Sequence, residues 1–243
     1  MEVAEAVLKK YKGKLCIVAL APNLRGAENA VKCGVEKIAY VISVSAAHNM
    51  KNVNRTHDES FEDMSNLIKT MPDIIVKLSL ATSFGCPFEG EIPAEKVTQF
   101  IKRALDCGVK EIVLCDTIGI ANPKQTVELV QTVLEVAADV PIGMHMHDTR
   151  GLGVTNMLAG MMAGVTRFET SVGGLGGCPF APDSAGNTAT EDAINMIHAM
   201  GIQTGVDLSE YMEAVSIVKK EIQANLSGHM GSVSCYAEKK EGD

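Results

Sequence analysis

"EIVLCDTIGIANPKQTVELVQTVLEVAADVPIGMHMH", residues 111–147, decides the fold. A short apolar run at 111–116 ends on Cys115-Asp116, a helical pattern follows over 122–138, and a second apolar run at 141–147 closes the unit. Runs this continuously apolar belong to strands buried on both faces. Strand, helix and strand in that order make a parallel pair with a covering helix. The pattern extends both ways, with further strands predicted at 15–21, 37–44, 73–81 and 167–172. Helices are predicted near 24–33, 57–71, 93–107, 152–163, 190–200 and 209–225.

The helix ends carry their own signals. Asn23 is placed to cap the first interstrand helix, and Thr56 with Glu59 reads as a capping box. Pro93 and Pro123 stand where a first helical turn tolerates proline. Gly34, Gly108, Gly164 and Gly201 follow apolar helical stretches, as C-terminal caps do.

Two architectures fit this alternation, a doubly wound open sheet and a (β/α)8 barrel. No glycine-rich phosphate loop follows the first strand. Polar residues instead gather at the C-terminal strand ends: Asn23, Ser43, Thr82, Asp116, His145 and His147. That distribution favours the barrel. Only six strands are legible, and the chain opens on an amphipathic helix, "MEVAEAVLKKYKGK". The expected fold is therefore α/β, an incomplete (β/α)8 TIM barrel with six of eight strands. Residues 1–243 are expected to form a single domain lacking the first two β–α units.

The 243 residues are 46% hydrophobic and 21% charged, an ordinary soluble composition. A net charge of −8 opposes general nucleic-acid binding, which needs a basic face. No apolar run approaches the roughly 18 residues of a membrane span, and no signal peptide is visible. Seven scattered cysteines, none in a CxxC, fit free thiols in a reducing compartment. The expected location is the cytoplasm, with any targeting peptide upstream of Met1.

Side chains at i and i+2 of a strand share a face, so His145 and His147 point together while Met144 and Met146 face the helices. Two imidazoles so placed can converge on a cation, or hydrogen-bond within a core. Four glycines (173, 174, 176 and 177) precede Cys178. A thiol on such a loop can move a proton at a bound substrate, or be a small buried hydrophobe. Asn187 can offer its carboxamide oxygen to a metal, or simply turn the chain after Gly186. Asp116 can orient a histidine or a metal-bound water, or cap the following turn. "GCPF" occurs at both 85–88 and 177–180, each time after a strand.

Five ordered segments carry a resemblance: "APNLRG" (21–26), "FGCPFEGEIP" (84–93), "CDTIGIANP" (115–123), "HMHDT" (145–149) and "GGLGGCPFAPDSAGNTATED" (173–192). The chain resembles the 3-hydroxy-3-methylglutaryl-CoA lyase family of metal-dependent TIM-barrel lyases. The resemblance implies that His145, His147 and Asn187 hold a divalent cation, Mg²⁺ or Mn²⁺, that Cys178 is a mobile catalytic thiol, and that Asp116 is an active-site carboxylate. It implies an acyl-CoA substrate and retro-Claisen cleavage of 3-hydroxy-3-methylglutaryl-CoA to acetyl-CoA and acetoacetate. The family's Arg-Asp pair, which completes the cation site, occurs nowhere in the 243 residues, and Val113 replaces a common family serine. The expectation is a truncated lyase of impaired activity, self-associating through open sheet edges. The alternatives are a non-catalytic remnant, or an aldol- or Claisen-type enzyme acting on another acyl-CoA.

Overall fold

Strand β4 (Glu111–Asp116) is buried along its whole length, and the other strands flank it in sequence order. The computed structural model describes residues 2–137, 139–176, 186–223 and 226–233. Before β4 come α1 (Glu2–Tyr11), β1 (Val18–Leu20), α2 (Leu24–Lys32), β2 (Lys37–Ser43), α3 (Ala46–Val53), α4 (His57–Thr70), β3 (Ile75–Ala81) and α5 (Ala94–Asp106). After it come α6 (Pro123–Val136), β5 (Ile142–Met146), α7 (Gly153–Met162), β6 (Arg167–Glu169), α8 (Thr190–Ala199) and α9 (Leu208–Ile222).

All neighbouring strands pair in parallel, in the order β1-β2-β3-β4-β5-β6. A doubly wound sheet reverses its order at a switch point. This one never does, which leaves the barrel of the two candidate architectures. The sheet is also strongly curled. Lys77 on β3 forms an ion pair with Glu169 on β6, three strand spacings away. In a flat sheet those strands would lie about 14 Å apart, so the sheet must close toward itself. The result is an incomplete (β/α)8 barrel, with β1 and β6 as edges among the described residues.

Alternation gives the sheet two unlike sides. The outer side carries Ile38, Tyr40 and Ile42 of β2, Leu78 and Leu80 of β3, Ile112 and Leu114 of β4, and Met144 and Met146 of β5, all packed into one apolar core under the helices. The concave side is charged. Glu111 there receives both Lys37 at 2.7 Å and Arg167 at 3.1 Å.

The helix signals hold. Asn23 accepts from the Gly26 amide at 2.9 Å, and Thr56 and Glu59 form the reciprocal capping box. Gly108 and Gly164 follow α5 and α7 at φ +92° and +107°, where a side chain would strain the backbone. Helix α3 has no counterpart in the sequence reading, because "AAHNMKNV" lacks apolar periodicity. Its start is set locally, by Ser45 accepting from the His48 amide.

Burial separates two leucines of this sheet. Leu114 is fully enclosed on β4, whereas Leu20 on the β1 edge is 70% exposed. Leu114→Ala is expected to cost about 2–5 kcal/mol, seen as a lower urea midpoint at unchanged slope. Leu20→Ala should change stability by less than about 0.5 kcal/mol.

Candidate functional site

The end of β5 assembles the site. His145 lies in register between Cys115 on β4 and Glu169 on β6, so its ring faces the concave side. His147 follows two residues on, and the two rings stand 5.3 Å apart between centroids, tilted by 47°. The segment that begins at Gly186 runs back along this strand end. Asp148 donates its amide to the Gly186 carbonyl at 3.2 Å. The Thr188 hydroxyl donates to the Met146 carbonyl at 2.9 Å. These bonds set Asn187 beside His147 in a backbone bridge.

Two buried polar atoms are left over. Asn187 donates its Nδ2 to the Leu175 carbonyl at 2.7 Å, which fixes the carboxamide, but its Oδ1 is buried with no partner. His147 Nδ1 is likewise buried and unpartnered. Leaving such atoms unsatisfied is costly, and a divalent cation accepts this donor set, imidazole nitrogen with carbonyl oxygen. Burial, then the neighbouring His145, pushes the His147 imidazole down to about 4. It is therefore neutral near pH 7 and has no proton to lose on binding a metal. Among the described residues no three His, Cys, Asp or Glu side chains gather as a metal cluster. The set found here is two imidazoles and a carboxamide, without a carboxylate ligand.

Glu169 is turned to the other side of His145. Its Oε2 lies 3.1 Å from His145 Nδ1, and its Oε1 meets Lys77 Nζ. Burial alone would raise the Glu169 carboxyl, but the hydrogen bonds from His145 and Lys77, with the Lys77 charge, hold it down to about 2. Neither Glu169 nor Lys77 was among the residues singled out from the sequence. The available signal was a charge inside a mostly apolar strand, as in "IVKLSLA".

Asp116 stands on the other face of the sheet. It pairs in register with Met146 rather than His145, and so belongs to the helix-facing side. Its Oδ1 accepts from the Ile120 amide at 2.9 Å and its Oδ2 from the Ala121 amide at 3.0 Å. Burial raises its pKa against those same bonds. The carboxylate thus closes the turn after β4, the second of the two roles its position offered, with its oxygens held by backbone amides. Cys178 lies outside the described residues, as does the second "GCPF". In the first, Cys86 donates its thiol to Ser45 Oγ at 3.0 Å and is buried.

The glycines before Cys178 matter for space. Gly176 has φ +102°, and a Cβ there would come within 2.6 Å of Asn187 Nδ2. A bare backbone at Gly176 lets the chain lie against the carboxamide there.

A curled parallel sheet with polar groups gathered at its C-terminal strand ends defines a TIM-barrel enzyme. The chain belongs to the HMGL-like family, whose pattern matches residues 1–218, and by family it is a carbon–carbon lyase. It is 38% identical over 224 residues to a hydroxymethylglutaryl-CoA lyase of Bacillus subtilis, covering 91% of this chain and 74% of that one. It is 37% identical over 198 residues to an (R)-citramalyl-CoA lyase of Chloroflexus aurantiacus, covering 81% of this chain and 62% of that one. The structure of an HMG-CoA lyase from Acinetobacter baumannii, bound to coenzyme A and 3-methylmalate, superposes with a TM-score of 0.91 at 34% identity. That match covers 96% of this chain and 78% of the other.

The buried imidazoles make stability pH-dependent. Burial lowers His48, His57 and His147 from the ordinary 6.5. Their contribution is thus present above about 6.5 and is lost as pH falls toward the folded values, because the unfolded chain binds more protons there. Thermal scans in EDTA should show Tm falling between pH 7 and pH 5, and His147→Gln should flatten part of that slope.

Proposed function

We propose that residues 1–243 form a single lyase domain that uses a divalent cation, Mg²⁺ or Mn²⁺, to cleave 3-hydroxy-3-methylglutaryl-CoA into acetyl-CoA and acetoacetate. The observation that carries this reading is the pair of buried, unpartnered atoms, His147 Nδ1 and Asn187 Oδ1, on two residues joined by a backbone bridge at the strand ends. His145, His147 and Asn187 are the proposed ligands. When bound, such a cation lowers the pKa of a hydroxyl it holds. In the cleavage a base would take the tertiary hydroxyl's proton as C3 becomes the ketone of acetoacetate, the bond between C2 and C3 would break, and the departing thioester enolate would take a proton at carbon. Cys178, two residues after Gly176 in the sequence, is the proposed acid for that last step.

The set lacks a carboxylate ligand, and the chain contains no Arg-Asp pair. We therefore propose that residues 1–243 alone bind the cation weakly and turn over slowly. No described helix is long and apolar enough to cross a membrane, and a relative from Mus musculus, 36% identical, is named as a cytoplasmic lyase. A cytoplasmic location is proposed on that basis. Val18 and Leu20 stand exposed on the β1 edge, and an apolar unpaired edge promotes association. The proposed state is a homo-oligomer, and a single monomeric species in sedimentation velocity would refute it.

A second reading is favoured by the near-equal identity to the citramalyl-CoA lyase, namely the same chemistry on a different acyl-CoA. Mn²⁺ titration followed by EPR, together with assays of both thioesters, tests the proposals. His147→Ala should abolish both Mn²⁺ binding and cleavage. Cys178→Ala should leave Mn²⁺ binding within about twofold while lowering turnover by about 10²-fold or more, in the range of general acid–base contributions. Failure of the wild-type chain to bind Mn²⁺ at millimolar concentration would remove the cation reading. Cleavage of citramalyl-CoA alone would select the second substrate, and neither cleavage nor binding would leave the non-catalytic remnant.

A further inference from the structure

Glu169 and Lys77 lie outside the proposed ligand set, yet both point at it from the concave side. Glu169 is the in-register neighbour of His145 across the β5–β6 ladder. Its two oxygens are divided between partners: Oε2 meets His145 Nδ1 at 3.1 Å, and Oε1 meets the ammonium of Lys77. Lys77 reaches it from β3, 92 residues away in the chain, and is itself buried. We infer that Lys77 and Glu169 are positioning residues, which fix the ring and the tautomer of His145 so that its Nε2 lone pair is presented to the site.

The argument is one of donors and acceptors. A carboxylate paired to an ammonium only accepts hydrogen bonds, so the nitrogen facing it carries the proton. Nδ1 is therefore N–H, and the remaining lone pair lies on Nε2. The carboxylate cannot turn away, because Lys77 holds its other oxygen. Lys77 cannot leave without abandoning a charge inside the barrel. His147 has no such support, since its Nδ1 is unpartnered. The two imidazoles of the HxH pair are thus held differently, one by a carboxylate and one by packing. Outer partners of this kind typically govern metal affinity by about 10–100-fold.

This deepens the cation reading and rests on it only where affinity is concerned. The tautomer can be read without metal or substrate. In the full chain labelled with ¹⁵N-histidine, with His145 assigned by the loss of its signals in His145→Gln, the ring of His145 should show a protonated Nδ1 and a bare Nε2. Glu169→Gln and Lys77→Met should each give mixed tautomers, and Glu169→Asp should restore the Nδ1–H form. In Mn²⁺ titrations by EPR, Glu169→Gln should raise the Kd by about 10–100-fold, and Glu169→Asp should recover most of that loss. A proton on Nε2 in the wild-type chain overturns the inference, whether or not any variant folds. So does a Glu169→Gln variant with unchanged tautomer and unchanged Kd. If the wild-type chain binds no Mn²⁺ but shows the Nδ1–H form, the cation reading fails while the positioning of His145 stands.

Discussion

Charge can be buried on the concave side of a curled sheet only if it is paired there, and here the pairs bridge strands that are not neighbours. Lys37 and Arg167 both reach Glu111 from two strands away, and Lys77 reaches Glu169 from three. The bridge from Lys77 to Glu169 needs strong curvature, and it makes flattening costly, because flattening would leave buried charges uncompensated. The dry outer side imposes no such demand, since apolar side chains pack under helices at many curvatures. The polar interior thus narrows the shape of the barrel, and that shape brings β3 within reach of the β5–β6 strand ends where the candidate site lies.

The fold was legible because its signals are local. Apolar runs, capping residues and the HxH step can be read from windows of a dozen residues, and the observed strands fall inside the predicted runs. Strand ends were less legible. The run at 167–172 yields only Arg167–Glu169 as strand, because Val172–Gly174 form a short 3-10 turn with Gly173 at φ +62°. Helix α3 escaped notice because a cap and polar contacts create it rather than an apolar stripe. Asp116 shows a different limit. A single acidic residue at a strand end gives no clue whether its oxygens will bind backbone amides or a ligand, and only the register with Met146 decides the face.

The site itself was half legible. His145 and His147 share a face by the two-residue period of a strand, so their convergence follows from sequence. Asn187 stands forty residues beyond His147. Its place depends on Gly186 and Thr188 bonding along the end of β5. The roles of Glu169 and Lys77 depend on curvature, which no local window reports. The glycines act by what they leave out. At 176 a methyl group would collide with the carboxamide that Asn187 directs at Leu175.

The strand order has a kinetic side as well. Because β1 to β6 pair in sequence order, most of the sheet can grow by docking one β–α unit after another, each closing a loop shorter than the one from Lys77 to Glu169. Parallel pairing across such crossovers is still non-local and slow to form. The bridge from Lys77 to Glu169 spans 92 residues and can close only after the three intervening units are in place. The carboxylate that holds His145 is thus an end product of folding, on a three-residue strand at the sheet edge. Such edges open with less free energy than the core. Transient fraying of β6 would release His145 while β2, β3 and β4 stay folded, so amide exchange at 167–169 reports on the integrity of the site sooner than any global melt does.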